Sequence, residues 1–214
     1  LIGAFETPFE NYVNQPDDIK QLTAGVAFLG EKVGIGTYNT YRWQKFDDDS
    51  QYKMFTGDLR AQATLGIAQI EYEFAFMLGG GDLSESINDV RVTGLGSVLN
   101  ATIETGGIAA GLGLGIASGD QDPYDDQFRS FAFDPDYNVA LMMFEEPMPT
   151  LAHENPHPYN NGGREYGAMR IGDGVRNAMY MRPTVGYQVL DPLKLSVAFI
   201  AAQATKVEEI QREA

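Results

Sequence analysis

The sequence predicts an all-β fold, a transmembrane up-and-down antiparallel β-barrel with about eight spanning strands in this chain. Apolar and polar residues alternate with a period of two through most of the chain. Short turns and long polar connections follow each other strictly, which places the tight turns at one end of the sheet. Each predicted strand has about ten residues, near the length that a tilted strand needs to cross a bilayer.

Composition narrows the function classes. The 214 residues include 15 Lys and Arg against 30 Asp and Glu, a net charge of −15, which argues against nucleic acid as a partner. The absence of cysteine excludes disulfides and thiolate catalysis. No apolar run is long enough for a membrane-spanning helix. A composition of 43% hydrophobic residues, with 24 Gly and 11 Tyr, is unusual for a soluble acidic protein and leaves the β-barrel open as a membrane class.

The strands follow in order, each from its alternation. The first four are predicted at residues 22–28, 33–43, 58–65 and 69–78. In the fifth, at residues 90–105, the alternation changes parity near residues 93–95, which predicts a β-bulge. The last three are predicted at residues 108–116, 179–189 and 193–199. Tight turns are expected at Gly30-Glu31, Gly66-Ile67, Gly106-Gly107 and Asp191-Pro192.

Ionisable residues within the strands fall on the face opposite the apolar set. An Arg or Lys facing lipid at mid-bilayer costs about 2–4 kcal/mol, so these side chains should point into the lumen. The predicted pore-lining residues are Arg42, Asp58, Arg60, Glu71, Glu73, Glu104, Arg182 and Lys194. Tyr41, Trp43 and Tyr52 lie near the long-loop end, where we expect an aromatic girdle at the membrane interface.

We interpret residues 1–214 as a single barrel segment that carries a long extracellular loop region at residues 118–175. Residues 137–144 form an apolar run within this region. The run is expected to fold into the lumen as a constriction formed by Tyr137, Leu141 and Phe144, or alternatively to belong to a packed extracellular subdomain. The first three residues resemble the tail of a preceding strand, and inward glycines would fill a narrow lumen poorly, so we favour a segment of a larger barrel.

Three motifs suggest other chemistry and are rejected. His153-Glu154-Asn155-Pro156-His157 matches H-E-x-x-H, but Pro156 blocks the helix that a zinc protease needs. The glycines at 111, 113 and 115 alternate with apolar residues as in a strand, with no phosphate-binding helix after them. The Asp-rich residues 120–126 lack EF-hand spacing and are interpreted as a solvated loop rather than a calcium site. We expect no catalytic site, no metal and no cofactor.

One stretch resembles a known family. Ala117-Ser118-Gly119-Asp120, followed by residues 131–139 (Phe-Ala-Phe-Asp-Pro-Asp-Tyr-Asn-Val), is similar to the strand-end and loop pattern of alginate-export-type outer-membrane porins. The resemblance covers about a quarter of the chain and implies a Gram-negative outer-membrane channel of roughly sixteen to eighteen or more strands. This chain is too short for such a barrel. Its acidic balance also departs from the basic lumen that a polyanion requires.

The functional hypothesis is a non-enzymatic porin-like channel in the bacterial outer membrane, for passive passage of solutes or an anionic polysaccharide. The permeant itself is not specified by the sequence. The alternative is a structural scaffold barrel that docks or sheathes other cell-envelope proteins. The two differ in whether the lumen is open or plugged.

Overall fold

The computed structural model describes residues 2–6, 18–45, 50–82, 89–121, 125–134, 137, 139 and 175–206. These residues form one antiparallel sheet of long strands, and the described part of the chain contains no helix. The predicted all-β class is therefore confirmed. The strands are β1 (Ile2–Glu6), β2 (Asp18–Leu29), β3 (Val33–Lys45), β4 (Gln51–Leu65), β5 (Ala68–Gly81), β6 (Val90–Thr105), β7 (Ile108–Ala117), β8 (Gln127–Phe128), β9 (Ala178–Leu190), β10 (Leu193–Ala198) and β11 (Ala201–Ala204).

Strand order follows chain order. The path runs from β1 through β7 to β9 and β10, with β11 also paired to β9 and the short β8 paired to β6. Within the described residues, β1 pairs only with β2, and β10 and β11 pair only with β9. The sheet is thus open along these two edges, and the closed barrel that the sequence predicts is not formed by the described strands.

The four tight turns lie where the sequence predicts them. The pairs Leu29–Gly34, Leu65–Ala68, Thr105–Ile108 and Leu190–Leu193 close the four hairpins. Gly106 and Gly107 have φ values of +56° and +82°, the left-handed conformation that both central residues of a type I′ turn require. The opposite end of the sheet carries the longer connections. We call the two ends the short-turn end and the long-loop end.

The predicted bulge in β6 is wrong. The β5–β6 register runs without a shift from the Ala68–Ile103 pair to the Gly81–Val90 pair, so even-numbered β6 residues face one side throughout. The apparent change of parity arises because Val90 and Val92 are buried on the side that carries polar residues lower in the strand. A tertiary contact, rather than a backbone irregularity, places these apolar residues there.

β10 and β11 are two parts of one strand. Both pair with β9 in the same register, from Ser196–Gly186 to Ala202–Tyr180. The interruption lies opposite Pro183, which has no N–H to donate to the ladder. The Phe199 N–H still donates to the Pro183 carbonyl at 3.0 Å, so the pairing direction is kept across the gap.

The two faces of the sheet differ in chemistry. Residues directly opposite each other in an antiparallel pair share a face, so the register assigns every strand residue. We call the face of Leu59 the apolar face and the face of Arg60 the polar face. Large side chains on the apolar face stand exposed, with Val26 at 61%, Phe28 at 64% and Val197 at 77% of their full accessibility. Among the described residues, nothing covers this face.

The buried core lies on the other side. The described parts of the connection between β7 and β9 (residues 118–121, 125–134, 137, 139 and 175–177), which we call the insert, pack on the polar face at the long-loop end. Val139 and Val175 are almost completely buried there, at 1% and 0% exposure. The larger core cluster comprises Ala117, Phe131, Phe133, Val139, Val175, Ala178 and Tyr180.

Candidate functional site

The register brings the eight predicted pore-lining residues to the polar face. Arg60 stands opposite Glu73, and Glu71 stands opposite Asn100, which in turn faces Gly113 and then Arg182. Asp58 lies two residues from Arg60 along β4, and Arg42 lies nearer the long-loop end of β3. The polar face therefore presents charges of both signs across at least six strands.

The pair nearest the short-turn end is an ion pair. Lys194 Nζ lies 2.7 Å from Glu104 Oε1, and both side chains are well exposed, at 46% and 67%. An exposed pair of this kind contributes at most about 1 kcal/mol to stability. This ion pair lines an open cavity of about 310 Å³ that extends over β6, β7, β9 and β10.

The polar face and the insert form the walls of a half-open cavity of about 290 Å³. Its sheet side carries Arg60, Glu71, Glu73 and Asn100, and its insert side carries Phe131, Phe133, Asp134 and Tyr137. Aromatic rings thus form one wall, and charged and amide groups form the other. The arrangement can hold water and small polar solutes between the strands and the insert.

The insert begins at a hydrogen-bonded anchor. The Ser118 hydroxyl accepts from the Leu95 N–H at 3.0 Å and donates to the Arg129 carbonyl at 2.7 Å. The Ser118 backbone pairs with Leu95 and accepts from the Phe131 N–H at 3.0 Å. One side chain therefore ties the end of β7, the middle of β6 and the returning segment together.

An ionic cluster fixes the first turn of the insert. Arg129 donates from Nη2 to Asp125 Oδ2 at 2.9 Å and from Nη1 to Asp120 Oδ1 at 3.3 Å. The hydrogen bond to Asp125, together with the charges of both carboxylates, raises the pKa of Arg129 above its ordinary value, although burial opposes the shift. Asp120, only 3% exposed, also accepts from the Arg129 N–H. These two carboxylates, interpreted from the sequence as part of a solvated loop, instead bind a cation of the chain itself.

Two phenylalanines carry the insert onto the sheet. Phe131 and Phe133 are buried, and their rings meet edge to face with centroids 6.0 Å apart. Gly96 of β6 lies beneath them, and a Cβ there would overlap the Phe131 ring. The glycine on the polar face therefore provides the space that an aromatic side chain of the insert fills.

A second aromatic contact lies over β7, the strand next to β6. The hydroxyls of Tyr137 and Tyr180 are 2.7 Å apart, and the Tyr137 ring packs edge to face on Phe133. Tyr180 lies across Gly115 of β7, where any Cβ would overlap its ring. Through Tyr180, the insert is thus joined to β9, the strand that pairs with β7.

Arg182 holds the next part of the insert. Its Nη1 donates to the Val139 carbonyl at 2.6 Å, while its Nε is buried and has no hydrogen-bond partner among the described residues. The guanidinium that the sequence predicts to line a pore is therefore engaged in holding the insert. Of the predicted constriction, Tyr137 lies on the polar face, whereas Leu141 and Phe144 lie outside the described residues. His153 and His157 also lie outside them.

Two of the three aromatic residues predicted for the girdle lie on the apolar face. Tyr41 and Trp43 share the apolar face near the long-loop end, with ring centroids 5.6 Å apart. Tyr52, in contrast, faces the polar side and packs against Val90 and Val92. Tyr52 therefore does not share the face of Tyr41 and Trp43 as the girdle prediction requires, because in β4 it has the parity of Arg60.

Sequence reasoning missed the residues that hold the insert in place. Phe131, Phe133 and Tyr180 were not identified as site residues, although Phe131 and Phe133 alternate with small or polar neighbours. The apolar Val90 and Val92, out of parity with the rest of β6, were the available signal that something covers this part of the polar face.

No helix among the described residues is long and apolar enough to cross a membrane. The same residues contain no group of three or more His, Cys, Asp or Glu side chains placed to hold a metal ion. Comparisons of the chain with protein-family models, curated proteins and solved structures gave no match. The similarity to alginate-export-type porins therefore stays a prediction from the residues.

Proposed function

We propose that the chain forms the wall of an outer-membrane β-barrel, a porin-like channel through which solutes pass passively. One observation carries the proposal: eight long antiparallel strand segments expose large apolar side chains on one face and ionisable side chains on the other. Lipid can cover the first face, and water in a lumen can hydrate the second. Closure requires that the two open edges of the sheet meet each other or further strands.

The dimensions support a spanning sheet. Val33 and Trp43 lie ten residues apart on the apolar face of β3. At about 3.4 Å per residue and a tilt of about 40°, this separation covers about 26 Å of bilayer, close to the apolar band of outer-membrane barrels. Phe28 and Tyr187 lie at the short-turn end and Tyr41 and Trp43 at the other, which is the pattern of two interfacial aromatic girdles.

The insert would narrow such a channel. It packs on the polar face at the long-loop end, and Tyr137, which lines the cavity, meets the Tyr180 hydroxyl through its own. Three of the charged residues around this cavity are carboxylates, Glu71, Glu73 and Asp134, against one cation, Arg60. Because like charges repel, this wall favours neutral or cationic solutes over an anionic polysaccharide.

Single-channel recording in planar bilayers tests the proposal. The full chain should give steady ohmic steps, and Phe131→Ala with Phe133→Ala should raise the conductance because the insert loses its packing on Gly96. Phe55→Ala with Phe74→Ala, on the apolar face, is the matched control and should leave the step size unchanged. A chain that inserts without conducting, in both the wild type and the insert variant, would contradict a channel. Added polyuronate should not block the current.

The second candidate is a scaffold barrel that docks or sheathes other envelope proteins. The observation that favours it is the burial of the insert, since Val139 and Val175 pack almost completely buried in the core cluster on the polar face. If the insert plugged the lumen, the outer surface of the barrel would be its functional surface. Insertion with no conductance, together with retention of a second envelope protein on purification, is the result expected of a scaffold.

A further inference from the structure

Cations and a tryptophan align across the apolar face at the long-loop end. In the β2–β3–β4 register, Trp43 stands directly between Lys20 and Lys53. The same row continues through Gly80 of β5 to Arg91 of β6. We call Lys20, Trp43, Lys53, Gly80 and Arg91 the basic row. Lys20, Lys53 and Arg91 are all exposed.

The charge of this row is opposite to that of the chain. Acidic residues outnumber basic ones by 30 to 15 in the whole sequence. On the apolar face of the described β2 to β6, however, the charged side chains are those of Lys20, Lys45, Lys53 and Arg91; the backbone of Asp18 pairs with Lys45. All of them lie at the long-loop end. Further along the strands, the same face is free of ionisable residues as far as the tight turns.

The register spaces the cations so that their long side chains can converge. Gly80 has no side chain, and it separates Lys53 from Arg91 by two strand spacings, about 10 Å between Cα atoms. Long Lys and Arg side chains can bend toward such a gap while their stems lie on apolar surface. A tryptophan beside them favours the boundary between hydrocarbon and headgroups.

We propose that the basic row binds the phosphate groups of anionic lipids at the outer interface of the bilayer. The inference rests on the proposed membrane-spanning function, because it needs the apolar face to be in lipid. Charge complementarity and the height of the row, one hydrocarbon thickness from the short turns, select a lipid phosphate as the occupant. A protein partner would not need a binding site at that height beside exposed apolar strands.

Fluorescence quenching offers a direct test, because Trp43 is the only tryptophan of the chain. The full chain is inserted in vesicles of phosphatidylcholine with a minority of phosphatidylglycerol. In one set the phosphatidylglycerol carries bromine on its acyl chains, and in the other an equal amount of the phosphatidylcholine does. Surface charge is then identical in the two sets. We expect stronger quenching by brominated phosphatidylglycerol, with local enrichment on the order of fivefold per cation.

Charge variants identify the origin of the enrichment. K20Q/K53Q should abolish most of the preference for brominated phosphatidylglycerol, and adding R91Q should remove what remains. K32Q/K206Q removes the same number of charges away from the row and should keep the wild-type preference. Equal quenching by both lipids in the wild type would overturn the lipid-phosphate inference alone. Absence of quenching by either lipid would overturn the membrane-spanning proposal as well.

Discussion

Two glycines on the polar face leave space that aromatic side chains fill. Gly115 accommodates Tyr180, and Gly96 accommodates Phe131. Gly111, on the same strand and face as Gly115, has only ordinary contacts, with the Thr102 methyl 3.5 Å from the position of a Cβ. Two glycines that look alike in the sequence thus differ in what a single methyl group would displace.

This difference gives a prediction at the residue scale. Gly115→Ala should displace Tyr180 and break its hydrogen bond to Tyr137, with a loss of roughly 1–3 kcal/mol typical of overpacking. Gly111→Ala is the control and should be close to neutral. The measurement is urea denaturation of the protein refolded in detergent, followed by limited proteolysis of the insert. Equal stability of the two variants would contradict the role assigned to Gly115.

The sequence could predict which residues share a face, but not which of them are covered. Alternation placed Arg182, Glu71 and Glu73 correctly on the polar side, because side-chain direction in a strand depends only on parity. It could not predict that Arg182 donates to the Val139 carbonyl, since that contact joins residues 43 positions apart in the chain. Parity is local information, whereas the position of the insert is tertiary.

At the scale of elements, β6 shows the same limit. The change of parity at its start was interpreted as a bulge, while the register is continuous and the insert covers Val90 and Val92. An apolar residue on a polar face has two explanations, a shifted backbone or a cover, and a single strand cannot distinguish them. The apolar residues at 131–133 in the insert were the additional sign that a cover lies on this face.

The attachment of the insert depends on Ser118. Because its hydroxyl accepts from Leu95 and donates to Arg129, Ser118→Ala leaves the Leu95 N–H and the Arg129 carbonyl without this partner. We expect a loss of about 1–3 kcal/mol and faster proteolysis between β7 and β9. Ser97→Ala, on the apolar face of β6, is the control. Unchanged proteolysis of the Ser118 variant would show that the hydrogen bonds of Ser118 do not hold the insert.

At the scale of the whole molecule, the long strands and their order were predictable and closure was not. Eight long segments, the four tight turns and the antiparallel meander follow from alternation and turn residues. Closure depends on shear and strand number, which involve the pairing of β1 and β10–β11 with partners that local patterning does not specify. The open edges are therefore the point at which sequence reasoning stops.

The final prediction concerns which solvent, lipid or water, contacts the exposed apolar face. Leu112 lies at the middle of β7 on the apolar face, and Thr102 lies on the polar face of the adjacent β6. If lipid covers the apolar face, Leu112→Arg should destabilise the folded protein in vesicles by about 2–4 kcal/mol, because a charge at mid-bilayer is poorly solvated. Thr102→Arg adds the same charge toward water and should fold nearly as well as the wild type. Urea titration of folding into vesicles compares the two variants. If Leu112→Arg were no more destabilising than Thr102→Arg, water or a protein partner, rather than lipid, would be in contact with this face.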